Sequence, residues 1–358
     1  MKVLYVRRNL WNNELSWWKN RYLINKRYSK FKDQDGYLRG SLHRHFAVNE
    51  VDLSFLESKW HEPRRYDYLV VNYRADSSGN GDLFDEEFTR SNRFSQIPAA
   101  LFIGGDGEAL MPSDKLLNQF DLVLKRQPYT DLDRYKLSAA NKDKIRPTTL
   151  GCPLVPATTS NIRRIRTSDY GFADPAPACT DDVFFSGQAN SQTRVQAWTH
   201  LATSSLNCHG GLQRDDTHDI LPPDTLAAPK IKKPDFIKAM RNAAVNLALD
   251  GHEAFTYRHI ETWCLACLSM CSPTRRELSL PFIAEEDIHY VCYDNLDDLV
   301  DKIRFYADHN DARQTIASAG RSLFEKYYSF DYHGAQLHHW LDNLGDTSLT
   351  PPSKGRSC

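Results

Sequence analysis

The chain has 358 residues, with 45 lysines and arginines against 46 aspartates and glutamates, a formal net charge of -1. That balance argues against nucleic acid as a partner, because a phosphate-coating surface carries a basic excess. With 41% hydrophobic and 25% charged residues the composition is globular, not disordered.

At about 150 residues per domain, this length suggests two domains. No apolar run reaches the roughly 18 residues that span a bilayer. Met1 runs straight into Lys2-Val3-Leu4-Tyr5-Val6, a strand-like segment with no secretory signal ahead of it. The eight cysteines are therefore expected to be reduced thiols in a cytoplasmic protein.

In chain order, Lys2 to Val6 reads as a strand and Val51 to Lys59 has helical spacing. Tyr66 to Tyr73 is a compact apolar strand, Phe84 to Ser95 a helix, and Ala99 to Gly104 another strand. Ser113 and Asp114 form an N-cap region opening a helix over Lys115 to Phe120, followed by a strand at Asp121 to Lys125. This alternation predicts a parallel sheet covered on both faces. Pro153, Pro156, Pro175 and Pro177 then mark a linker.

A second series follows. Asp182 to Ser186 is a strand, Ser191 to Ala202 a helix, Leu206 to His209 a short strand, and Asp235 to Asn242 a helix. Ala244 to Leu249 is a strand and Tyr257 to Cys267 a helix. Asp294 to Asp308, Asp311 to Tyr327 and His333 to Leu344 are helical. Two such halves create a cleft, and ligands of open α/β sheets bind beyond the carboxyl ends of the strands.

The stretch Gly251 to Met270 carries the most chemistry. Glu253 and Glu261 are separated by seven residues, around a turn from strand to helix. Backbone N–H groups near Phe255 and Thr256 would face an anion at the helix start. Tyr257 opens the helix, and Arg258 would add a fork of donors to a phosphate. Glu261, one turn in, would accept hydrogen bonds from a ribose, and Glu253 would reach a sugar beyond the phosphates.

This stretch resembles the donor-binding segment of GT-B glycosyltransferases, both the E-x7-E retaining enzymes and the exostosin-like transferases. The latter carry a pattern like S-Y-R-F-I-E-A-L, and Thr256-Tyr257-Arg258-His259-Ile260-Glu261 is similar to it. The family's Ala-x-Ala-Cys-Gly departs here to Cys264-Leu265-Ala266-Cys267-Leu268, without the glycine that ends the helix. Asp182 to Gly187, with Arg194 on the next helix, resembles the first strand, loop and helix of such a donor domain. Val291 to Leu299, Ala319 to Arg321 and Lys326 to Ser329 resemble its closing elements, so the likeness covers about residues 180 to 340.

The resemblance implies two Rossmann-like doubly wound domains facing a cleft. They are expected at 1–155, for the acceptor, and at 181–328, for the nucleotide sugar, with a linker at 156–180. A helix at 329–345 would return to the first domain, ahead of a tail at 346–358. The implied activity moves a hexose or pentose from a UDP- or GDP-sugar to a glycan, glycoconjugate or other hydroxyl acceptor, with no bound cofactor and no metal. Gly187 and Arg194 join Glu253, Phe255, Thr256, Tyr257, Arg258 and Glu261 as donor-binding residues. Asp106, in a Gly-rich loop after a strand, would be the general base of an inverting enzyme; the E-x7-E spacing leans instead toward retention. Arg8 and Trp11 would meet the acceptor, although Trp11, Trp17 and Trp18 equally suit the stapling of a helix. Arg7, Lys125 and Arg126 read as solvated side chains at the same rim. The alternatives are an epimerase or hydrolase of the same fold, or a binding protein without catalysis.

Trp263-Cys264-Leu265-Ala266-Cys267 mimics a redox W-C-x-x-C, but Cys264, Cys267 and Cys271 fall on one helical face and read as buried packing. His43-Arg44-His45 reads as a surface loop. A dehydrogenase is disfavoured, since no G-x-G-x-x-G follows a strand.

Overall fold

The apolar runs of the first half become strands because they are buried on both faces. Ala99–Ile103 (β4) and Leu122–Arg126 (β5) are buried at every position, the pattern of a parallel sheet sandwiched between layers. The structure is a computed structural model that describes residues 1–7, 36–52, 62–73, 94–104, 107–152, 154, 179–214 and 222–344.

With β1 (Lys2–Arg7), β2 (Ala47–Asp52), β3 (Tyr68–Tyr73) and β6 (Ile145–Thr148), these strands form a six-stranded parallel sheet in the order β2-β1-β3-β4-β5-β6. The second sheet holds β7 (Asp181–Gln188), β8 (Cys208–Gln213), β9 (Ala243–Ala248), β10 (Ser269–Cys271) and β11 (Val291–Cys292). Its order is β11-β10-β9-β7-β8, again all parallel. The strand order reverses between β1 and β3 in the first sheet and between β7 and β9 in the second. Those reversals leave the crevices where doubly wound sheets take ligands.

Among the described residues, seven helices of eight residues or more cover the sheets: α1 (Gly36–His45), α2 (Gln192–Ala202), α3 (Lys233–Asn242), α4 (Tyr257–Cys264), α5 (Leu296–Asp308), α6 (Asn310–Tyr327) and α7 (Phe330–Asp342). Leu299, Val300 and Ile303 of α5 pack with Val183, Phe185 and Val245 on one face of the second sheet. The last helix instead covers the first sheet. Leu337 and Leu341 pack with Leu38, Leu42, Val3 and Tyr5. Two glycines permit this close crossing. A Cβ on Gly40 would lie 2.3 Å from the Phe330 ring, and one on Gly334 would lie 2.1 Å from the His45 ring.

Several elements differ from the sequence reading. His43-Arg44-His45 forms the last turn of α1 rather than a loop, and Arg44 pairs with Asp331 at 2.5 Å. Val51 and Asp52 end a strand rather than open a helix. Helix α4 stops at Cys264, so Cys264, Cys267 and Cys271 do not share a helical face. Ala266 takes the left-handed conformation that a glycine usually supplies, with φ 52. The N–H groups of Ala266 and Cys267 donate to the carbonyls of Trp263 and Thr262 at 3.3 and 2.9 Å, a Schellman closure. All three thiols are buried all the same. Most of the expected linker, residues 84–93 of the expected helix over 84–95, and the tail lie outside the described residues.

At the α1–α7 crossing His333 is fully buried, with Nδ1 3.0 Å from Ser41 Oγ and Nε2 3.1 Å from Thr148 Oγ1. Burial pushes its pKa down to about 3. The unfolded chain, titrating near 6.5, therefore binds a proton that the folded chain refuses. The stabilisation is complete above pH 6.5 and is lost as pH falls from there toward 3, at about 1.4 kcal/mol per pH unit. Denaturant unfolding of the wild type and of His333→Asn between pH 7 and 5 should show a shallower acid slope in the variant. Equal slopes would contradict the assignment.

Candidate functional site

The crevice between β7 and β9 is lined by two arginines whose charges are largely removed from water. Ser191 caps α2 by accepting the Arg194 N–H at 3.3 Å, which starts the helix one turn beyond β7. That places the Arg194 guanidinium across the crevice. Its Nη1 donates to the Gln188 carbonyl and to Asn190 Oδ1 at 3.0 and 2.8 Å, and its Nη2 to the Leu249 carbonyl at 3.3 Å. Gly187 and Gly251 make room for it: a Cβ on Gly251 would lie 2.6 Å from Nη2.

Arg258, in the first turn of α4, enters from the other side. Its Nη2 donates to the Ser186 carbonyl at 2.8 Å and its Nε to Glu261 Oε2 at 3.2 Å. The guanidinium carbon sits 4.4 and 5.6 Å from the ring centres of Phe236 and Phe184, a stacking that suits a planar cation. Burial pulls the Arg258 pKa down, against the pull of Glu261. Burial, then repulsion from Arg258, brings Arg194 down to about 10, so Arg194 is charged at neutral pH. Glu261 is buried beside Arg258, and burial raises its pKa against the attraction of that arginine. Arg194 Nε and Arg258 Nη1 are buried donors without a hydrogen-bond partner. Two repelling cations with spare donors are arranged to take an anion.

Asp250, just after β9, was not singled out by sequence. It accepts from Thr274 Oγ1 at 2.6 Å, and its Oδ1 is buried without a partner. Burial raises its pKa. Its place directly after the apolar run of β9 was the available signal.

The remaining expected residues divide. Glu253 faces the first sheet, where Arg126 Nη2 donates to its Oε2 at 2.5 Å. Lys125 and Arg126 are buried rather than solvated. Lys125 Nζ donates to the Gly107 and Arg126 carbonyls at 3.0 and 3.1 Å. Phe255 is wholly buried and stacks on His259 at 4.5 Å. The Thr256 N–H does not face the crevice as an anion donor. It donates to His259 Nδ1 at 3.1 Å, because His259 completes the helix cap from inside. Tyr257 is exposed. Asp106, Arg8 and Trp11 lie outside the described residues. Glu108, a near neighbour of Asp106 in sequence, was missed, and its Oε2 accepts the Ala254 N–H at 3.2 Å.

Residues 193–339 match the model of a glycosyl transferase-like family, less than half of the chain. No curated protein matches the sequence. Among solved structures, Anabaena HepE in complex with UDP-glucose aligns over 96% of this chain and 100% of its own, with a TM-score of 0.54 at 13% identity. A glycosyltransferase from Rickettsia africae aligns over 96% and 98%, with a TM-score of 0.54 at 11% identity. The chain has the GT-B fold. In this GT-B architecture the paired arginines stand at the switch point of the second sheet. Among the described residues there is no group of three or more His, Cys, Asp or Glu side chains that would hold a metal ion.

The Gly251 contact gives a direct check. Gly251→Ala should displace the Arg194 guanidinium and weaken binding of inorganic pyrophosphate about tenfold, or about 1.4 kcal/mol. Calorimetry reads the affinity and thermal unfolding confirms that the fold survives. Unchanged affinity would remove Arg194 from the anion site.

Proposed function

We propose that the chain is a glycosyltransferase that moves a sugar from a nucleoside-diphosphate sugar to a hydroxyl acceptor. The observation that carries this reading is the buried Arg194 and Arg258 pair beside Glu261, at the switch point of the second sheet. The family match over residues 193–339 and the UDP-glucose bound to the similarly folded HepE support the same reading.

In this reading the diphosphate lies against Arg194 and Arg258, and Glu261 accepts hydrogen bonds from the ribose. Glu253 meets the sugar. An acceptor hydroxyl, held in the first half near Arg8 and Trp11, attacks the anomeric carbon while the bond to the phosphate oxygen breaks. Asp106 takes the hydroxyl proton. Negative charge grows on the departing diphosphate, where two fixed guanidiniums stabilise it. They stand where a divalent cation would otherwise serve, so transfer should persist in the presence of a chelator. The free thiols support a cytoplasmic location, and no described helix is long and apolar enough to cross a membrane.

A calorimetric panel of UDP, GDP, ADP, dTDP and CMP tests the donor site. One nucleotide should bind selectively, and Glu261→Ala should weaken it by about 1–3 kcal/mol, the loss of a buried hydrogen-bonding group. Absence of any binding, or a variant that binds as well as the wild type, would overturn the reading.

A further inference from the structure

The loop that joins β9 to α4 meets the loop after β4 and the end of β5 through three consecutive residues. A Cβ on Gly107, which sits at φ 92 after β4, would lie 3.9 Å from the His252 carbonyl. Glu253 receives Arg126 Nη2 at 2.5 Å. Ala254 donates its N–H to Glu108 Oε2 at 3.2 Å. The side chain of Arg126 is fully buried and that of Glu253 is 11% exposed, so neither charge leaves the pair cheaply. The first and second sheets are also joined beside this point. Thr130 N–H donates to the Glu277 carbonyl at 2.7 Å and Ser279 N–H to the Pro128 carbonyl at 2.8 Å.

We propose that Arg126 is a positioning residue for donor-sugar recognition: reaching from β5, it aims the Glu253 carboxylate, so both sheets build the sugar end of the site. The proposal rests on the donor reading above. The physical reason is that Glu253 belongs to a loop. Its flexible stem would visit several rotamers, and a carboxylate reads hydroxyls selectively only when its lone pairs point in a fixed direction. The planar guanidinium of Arg126 supplies that direction, and a lysine, as a point charge, would not. Glu108 fixes the backbone one residue further on. A nucleoside diphosphate without its sugar ends at Arg194 and Arg258 and makes no use of this arrangement.

The measurement is the affinity ratio of UDP-glucose to UDP, by calorimetry on the full chain, for the wild type, Arg126→Lys and the double variant Arg126→Met/Glu253→Gln. The double variant removes both charges and so avoids an unpaired buried ion. The wild type should prefer UDP-glucose, and both variants should lose at least tenfold of that preference. UDP itself should bind each protein within about threefold, a split that a purely structural ion pair would not produce. A ratio unchanged in Arg126→Lys overturns the proposal, whatever the double variant does, as does a wild type that binds UDP and UDP-glucose equally. A wild type that binds neither overturns the donor reading itself, a separate failure.

Discussion

Burying two like charges side by side is unfavourable, and the second sheet is arranged around that constraint. Arg194 and Arg258 repel one another, and burial opposes the charge of each. Glu261 answers one of them, and carbonyls of Gln188, Leu249 and Ser186 answer part of the rest. The balance left over is positive and partly unpartnered at Arg194 Nε and Arg258 Nη1. A site of this kind costs stability in isolation and recovers it when an anion arrives. Strand order explains its position. The reversal between β7 and β9 opens the crevice, and the residues just past each strand must line it.

Other features serve to hold the two arginines. Phe184 and Phe236 stack on the Arg258 guanidinium. Gly187 and Gly251 leave the volume that Arg194 fills. His259 anchors the start of α4 from its buried side, through the Thr256 N–H and a stack on Phe255. Helix α4 thus presents Arg258 and Glu261 outward from a fixed base. Trp263, at its far end, donates to the His289 carbonyl at 2.8 Å.

Much of this was legible in the sequence. The strands at β3, β4, β5, β7 and β9 are short apolar runs bounded by turn residues. The start of α4 was visible in Thr256 and in the spacing of Glu253 and Glu261. Its end was hidden, because Ala266 takes a conformation that usually announces itself as glycine. Helix α1 was missed in the sequence; its Gly40 admits the Phe330 ring. Strand β6 was also missed; it contains Pro147, which the sheet tolerates at an edge position. Lys125 and Arg126 read as solvated because their burial comes from chain folded around them. Arg126 meets Glu253 across 127 positions of sequence, a pairing that no local pattern encodes.

In the proposed function the two guanidiniums form the diphosphate site. The most direct test compares uridine and UDP by calorimetry in the wild type and in Arg258→Met. The diphosphate should improve wild-type affinity by roughly a hundredfold, the worth of two charge-assisted hydrogen bonds, and Arg258→Met should remove most of this gain while uridine binding persists. Equal affinities for uridine and UDP in the wild type, or a gain that survives in Arg258→Met, would contradict it.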